Sequence, residues 1–513
     1  MADTVTGAAT GTTAQAADDT EPGLMAAVTT TAPARPAARP AAARTPTRAR
    51  PAAAPAAAVT TTSSPIPAPR PTIPPGPGLT SRLHGISFAF NRRKTMARMH
   101  QKYGSAFTLR LPLYGQTVFI SDPALVKQLF TSGPDLIGNI EPNLGKVLGR
   151  GSFFNLDGAA HRRQRKLLLP PFHGRRVLTY ESIIEEETLR ECANWPENER
   201  FETLAPMMRL TLNAILRAVF GAEGEQFETL RDLLPPMIEL GSKLVALPGP
   251  QVDLGRWSPW GRYHAYRRRF DEVVDTLISK ALADPGLDER NDVLSLMLQA
   301  RYDDGSAMPR SDVADQLVTL LAAGHETTAT TLSWAVERLR RHPQLLARLV
   351  AEADAGGSEL RRATMLEVQR CRPVIDLTAR KVKAPSLPLG RWSLPRDYNV
   401  LVAITLVHGD DAVFPDAAAF DPDRFVGVNP DTYSWVPFGG GTRRCIGAAF
   451  AAMEMDVVLR TLLREFDFAG TDEPAEDWHS RGVAYAPSEG GVAVVRRRRP
   501  APAGQGAESP EAD

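Results

Sequence analysis

Apolar and polar positions alternate along AFTLRLPLYGQTVFIS, residues 106–121, and this period of two predicts two strands joined at Tyr114-Gly115. Asp122-Pro123 follows, an N-cap and first-turn proline that open a short helix. From there the helical period dominates. HRRQRKLLL, starting at His161, stops at Pro170-Pro171, and a long periodic segment from Ser311 to about Arg341 ends near Pro343. Another helix is predicted from roughly Ser358 to Arg372, before Pro373. A last long one starts at about Ile446 and runs through AAFAAMEMDVVLRTLLREF. The pattern is that of a mainly α domain with small β-sheets, in which one helix is too long to be peripheral.

Composition changes this picture at the ends. Residues 1–70 are dominated by Ala, Thr and Pro and cannot bury enough surface to offset their ordering entropy, so a disordered tail is expected there and another over 501–513. Between them, 71–500 is expected to form one large domain, although 513 residues alone would suggest several. Lys plus Arg total 60 against 59 for Asp plus Glu, which leaves no global field to gather nucleic acid. Cys192, Cys371 and Cys445 are far apart, without the C-x-x-C spacing of a zinc site or redox pair, and fit a reducing compartment. No apolar run reaches the roughly 18 to 20 residues that span a bilayer, and no signal-peptide layout opens the chain. A cytoplasmic protein without a transmembrane anchor is expected.

Candidate chemistry concentrates in Phe438-Gly439-Gly440-Gly441-Thr442-Arg443-Arg444-Cys445-Ile446-Gly447. Glycines allow a tight turn against a flat ligand. Cys445 precedes a helix whose first N–H groups can donate to its sulfur and favour the thiolate, a soft ligand for iron. Arg443 adds a cation suited to a carboxylate. A phosphate-binding loop would end in Lys-Ser/Thr, which is missing here.

Mid-way along the long helix lies Ala323-Gly324-His325-Glu326-Thr327-Thr328, unfavourable by propensity. Gly324 removes a side chain, and Thr327 can bond back to the carbonyl near Ala323, opening a groove beside an acid and an alcohol that could pass protons. A zinc-protease pattern fails, because Ala329 stands where the second histidine belongs. Glu367 and Arg370 lie three apart on one helical face, and His161 and Arg165 four apart on another.

The cysteine segment is similar to F-x-x-G-x-R-x-C-x-G, the haem-binding signature of the cytochrome P450 family, matched at Phe438, Gly441, Arg443, Cys445 and Gly447. The resemblance runs from about residue 75 to 497. It implies the fold of that family, with heme b (iron protoporphyrin IX) held between the long central helix and the cysteine loop. Cys445 would be the proximal iron ligand, its electron donation favouring O–O cleavage. Phe438, Gly439, Gly447, Ala323 and Gly324 would adjoin the haem, and His161, Arg165, Arg380 and Arg443 its propionates. Ala323 to Thr328 resembles the family's oxygen-activation motif, with Glu326 and Thr327 as acid and alcohol. Glu367, Arg370 and Arg424, the last in FDPDRF, would form a buried structural cluster.

The activity implied is insertion of one oxygen atom from O2 into a lipophilic small molecule. Electrons would come from a ferredoxin or flavodoxin with its NAD(P)H-dependent reductase, docked on the cysteine side near Arg443, Arg444 and Arg162. The substrate cavity is expected near 130–155, 230–260, Ala322 and Ala323. A haem-thiolate isomerase or peroxygenase and a non-catalytic haem- or ligand-binding protein are the alternatives, and the acid-alcohol pair argues against the first. Two features depart from or lie outside the pattern: Lys383–Asp397 lacks the family's acidic and glycine spacing, and the Arg496–Arg499 run is expected to be a solvated tail.

Overall fold

In a computed structural model the alternating segment forms Ala106–Leu111 (β1) and Gly115–Ile120 (β2), antiparallel with Leu111 opposite Gly115. The buried face is aromatic: Phe107 stacks on Phe119 with ring centroids 4.9 Å apart. Residues 72–141, 144–221, 224–246 and 252–498 are described, so the two expected tails lie outside the described residues.

Three further strands complete this sheet. Ile137–Gly138 (β3) pairs with Leu377–Val382 (β4), and β4 with Asn399–Ala403 (β7), giving the order β1-β2-β7-β4-β3. Strand β7 lies parallel to β2, and all five of its residues are buried, as a strand covered on both faces requires. The departing stretch forms a separate hairpin of Ser386–Leu389 (β5) and Trp392–Pro395 (β6).

After a helix at Ser81–Phe90 come Arg92–Tyr103 (α1) and Pro123–Phe130 (α2). Asp122 caps α2 as its sequence predicts, accepting from the Ala124 amide at 2.7 Å. Replacing Asp122 by Ala is expected to cost about 1 kcal/mol, read as a lower denaturant midpoint at unchanged slope. Gly158–Leu168 (α3), Leu204–Phe220 (α4) and Glu225–Ala246 (α5) follow. The long helix runs unbroken from Arg310 to Leu339 (α6) and is buried over most of its length, with Trp334 fully enclosed. It packs lengthwise on α4. Glu359–Cys371 (α7) and Ala448–Glu465 (α8) match the last two predicted helices to within about two residues.

The chain ends its described part differently from expectation. Val495–Arg497 pairs antiparallel with Phe466–Phe468, Arg498 binds both oxygens of Asp354, and Arg497 donates to the Cys192 and Ala193 carbonyls. Arg496 to Arg498 therefore lie along a strand beside acidic partners rather than in a tail, with Arg496 still exposed, while Arg499 lies outside the described residues. Among the described residues no helix is long and apolar enough to cross a membrane.

Candidate functional site

The cysteine loop is shaped from below by α2. Gly439 and Gly441 both sit at φ +64°, and a Cβ on Gly441 would stand 2.3 Å from the Phe130 carbonyl oxygen. A Cβ on Gly440 would overlap the Phe130 ring at 2.1 Å. Two of the three consecutive glycines are thus required by contact with α2. Gly439 and Gly447 do border open space. The Cys445 amide donates to the Phe438 carbonyl at 3.0 Å and closes the loop at the start of α8.

Cys445 is exposed, yet desolvation by surrounding atoms raises its thiol above the ordinary value. The Gly447 amide, Arg444 and Arg165 act in the opposite direction, favouring the thiolate. The helix-start amide therefore acts on this sulfur as its position in sequence predicts.

Beside the loop lies a small recess lined in part by Ser132, Gly138, Asp157, His161, Arg380 and Arg443. His161 is buried, and its Nε2 has no partner among the described residues. Burial, then the charges of Arg443 and Arg165, lower its pKa to about 3, so the ring is neutral. Arg380 is buried too and donates to the Gly440 and Ala379 carbonyls at 3.0 and 2.8 Å. Burial lowers its pKa to about 10. Arg443 pairs with Asp157 at 3.0 Å, and Lys383 reaches the same carboxylate at 2.6 Å. Burial would raise the Asp157 pKa, but the bonds from Lys383, the Asn139 amide and Arg443 outweigh it and hold the group well below the usual carboxylate range. Arg165, whose charge also reaches His161, donates to the Arg444 carbonyl at 2.8 Å and so meets the cysteine loop. Asp157 and Lys383 were not singled out from sequence. The one signal was positional, since Asp157 is also the N-cap of α3.

On α6, Ala323 is exposed and Ala322, Gly324 and Thr327 are half-buried in the middle of a helix otherwise enclosed. Thr327 Oγ1 donates to the Ala323 carbonyl at 2.8 Å, the back-bond expected from sequence. A Cβ at Gly324 would lie in ordinary contact with Ile215 of α4, at 3.5 Å. His325 turns inward to the Leu321 carbonyl. Glu326 is ion-paired with Arg481 at 3.0 Å, in the turn between Trp478–Ser480 (β8) and Tyr485–Pro487 (β9). The sequence offered no sign of this partner.

The charge cluster forms as expected. Glu367 binds Arg370 through two contacts of 2.7 Å and Arg424 at 3.3 Å, and it accepts the Asp421 amide at 2.9 Å. Arg370 also donates to the His408, Ala417 and Ala419 carbonyls. His408 extends the cluster toward the cysteine: its Nδ1 meets the Arg370 carbonyl and its Nε2 accepts the Val436 amide at 2.9 Å.

A family model described as Cytochrome P450 matches residues 74–493. A Mycobacterium tuberculosis (strain H37Rv) protein with the provisional name cytochrome P450 138 is 54% identical over 437 residues, 85% of this chain and 99% of that protein. Another from the same strain, provisionally cytochrome P450 135B1, is 36% identical over 437 residues, 83% and 92% of the two chains. Among solved structures, retinoic acid-bound cyanobacterial CYP120A1 superposes with a TM-score of 0.74 at 23% identity, covering 84% of this chain and all of that one. The cytochrome P450DA heme domain gives 0.72, also at 23% identity, covering 84% and 99%.

Proposed function

Because the chain belongs to the cytochrome P450 family, a family of haem-thiolate monooxygenases, we propose that it inserts one atom of O2 into a lipophilic small molecule. Heme b is its cofactor in this reading. Electrons arrive from a ferredoxin or flavodoxin and its NAD(P)H-dependent reductase. The observation that carries the proposal is Cys445, exposed at the start of a long helix, in a loop whose Thr442 and Arg443 line a recess together with His161 and Arg380.

The residues around that recess fit a flat group bearing carboxylates. His161 Nε2 is orphaned, Arg380 is buried with only carbonyl and hydroxyl partners, and Gly439 and Gly447 border open space. When bound through a thiolate, haem supplies the redox chemistry that activates dioxygen. Cys445 would hold the iron, while His161, Arg165, Arg380 and Arg443 would bind the propionates. Phe438 and Gly439 would adjoin one face of the ring, and Ala323 and Gly324 the other. Glu326 takes protons from solvent and Thr327 passes them into the cavity. Glu367, Arg370 and Arg424 hold the approach to the cysteine.

Arg162 and Arg444 are exposed and suit an acidic electron-transfer protein, whereas Arg443 is engaged by Asp157. The apolar character of Ala322, Ala323 and the α5 region favours a lipophilic substrate. One catalytic domain over 71–500, between disordered tails, in the cytoplasm, completes the proposal. It is consistent with three free cysteines and with the absence of a membrane-spanning helix among the described residues.

Purified, reduced protein treated with carbon monoxide should show the red-shifted absorption of a thiolate-bound haem, and Cys445→Ser should abolish it. Absorption indifferent to that substitution would remove the basis of the proposal.

A further inference from the structure

The balanced net charge conceals a segregation along the chain. Residues 22–121 hold 13 Lys and Arg and no Asp or Glu, which leaves 47 Lys and Arg against 59 Asp and Glu in the rest. One stretch is strongly cationic and the remainder anionic, an asymmetry that concerns partners rather than fold. The described part of the stretch displays its cations openly. Arg82, Lys94, Arg98, Lys102 and Arg110 are exposed, and none of them has an ion-pair partner among the described residues. Arg92 differs, being paired with Asp376 at 2.8 Å.

Within the same stretch the helix Ser81–Phe90 presents apolar side chains outward. Its inner side lies flush on the sheet: a Cβ on Gly85 would stand 2.0 Å from the Arg110 carbonyl oxygen, and Phe88 meets the Phe119 ring edge-on at 5.3 Å. Leu83, Ile86 and Phe90, spaced i, i+3 and i+7, share the opposite face with Arg82 and are 66%, 48% and 88% exposed. Leu113, 59% exposed, stands in the turn just past Leu111, whose Cα would lie 3.3 Å from that same Cβ. Lys94 follows four residues after Phe90, its amide donating to the Asn91 side chain. Single exposed apolar residues are ordinary on a protein surface, but a stripe of them along one helix face, bordered by unpaired cations, has the layout of an interfacial helix.

The charge decides what covers this face. A second copy would set like charge against like, and residues 22–71, with six Arg and no acid, are cationic as well. Nucleic acid would satisfy the cations but leave Leu83, Ile86 and Phe90 without a partner. We propose that the face docks on an anionic bilayer surface, with Leu83, Ile86 and Phe90 entering the headgroup boundary and Arg82, Lys94 and Arg98 meeting lipid phosphates. The cations of 22–71, adjoining in sequence, add to the attraction. The protein lies on the bilayer without crossing it, in keeping with the lack of a membrane-spanning helix among the described residues. The same surface repels the anionic remainder, which sets the side turned toward it. Nothing in this inference depends on the monooxygenase reading.

The test is flotation of the full chain with phosphatidylcholine vesicles, with and without phosphatidylglycerol. Partition should be about tenfold or more stronger on the anionic vesicles and should fall with added salt. Ile86→Ser with Phe90→Ser should weaken it about tenfold, and Lys94→Glu with Arg98→Glu on the order of a hundredfold. These side chains are exposed, so the denaturant midpoint should stay in place, which separates lost docking from lost folding. In the conservative variant Phe90→Trp, emission should be quenched by lipid brominated in its acyl chains more than in the unaltered protein. Equal partition on neutral and anionic vesicles overturns the proposal. So does binding indifferent to the Ile86 and Phe90 substitutions, which would be adsorption by charge alone, or an equally tight and equally indifferent complex with short duplex DNA. Absence of the extra quenching in Phe90→Trp would overturn it as well.

Discussion

Replacing Glu367 by Gln is expected to destabilise the folded chain by about 3–5 kcal/mol, the cost of leaving one member of a buried ionic cluster uncompensated. Glu367 and Arg370 are both essentially unexposed, joined by two 2.7 Å bonds. Glutamine keeps the shape but removes the charge and turns an NH2 group toward one of the two guanidinium groups. Arg370 would retain its three carbonyl acceptors, which satisfy its protons without neutralising it. The measurement is the denaturant midpoint. Removing the charges together, with apolar residues of similar volume, should recover much of the loss, because no ion is then stranded. The damage should also reach the cysteine, since Trp435 donates to the Leu366 carbonyl and Val436 to His408, both beside the cluster. Haem retention should therefore fall with stability. A loss below about 1 kcal/mol would mean that the cluster is hydrated and carries little.

Local rules made much of the fold and part of the site legible in the sequence. The period of two marked β1 and β2, Asp122 announced its own cap, and Thr327 makes the back-bond that its position allowed. Each depends on neighbours within four residues. What escaped depends on distance along the chain: Arg481 meets Glu326 across 155 positions, Arg443 meets Asp157 across 286, and His408 meets Val436 across 28. The glycines of the cysteine loop show the intermediate case. Their necessity was readable, but the atoms that enforce it belong to Phe130, more than three hundred residues earlier. The Arg496–Arg498 run misled because charge alone does not reveal whether a strand partner and acids such as Asp354 and Asp467 lie alongside.

His408 should make the chain lose stability as the medium is acidified from pH 6.5 toward 3. Its Nε2 accepts an amide proton from Val436 and its Nδ1 donates to the Arg370 carbonyl, so the fold requires one neutral tautomer. A second proton on Nε2 would face the Val436 N–H. Burial, with Arg370 nearby, lowers the folded pKa from 6.5 to about 3, although the bond to the Arg370 carbonyl works the other way. In the unfolded chain the ring titrates normally, so below pH 6.5 that state binds the extra proton and the folded state does not. The stabilisation is thus complete above pH 6.5 and falls with pH, at a limiting slope of about 1.4 kcal/mol per unit and on the order of 5 kcal/mol in all. His161, also lowered to about 3, adds to the slope in the haem-free chain. His408→Gln should start less stable at pH 7.5 and yet lose less between pH 6.5 and 5, where few carboxylates titrate. Parallel stability curves for the two proteins across that interval would show that His408 takes up its proton without opening the contact to Val436.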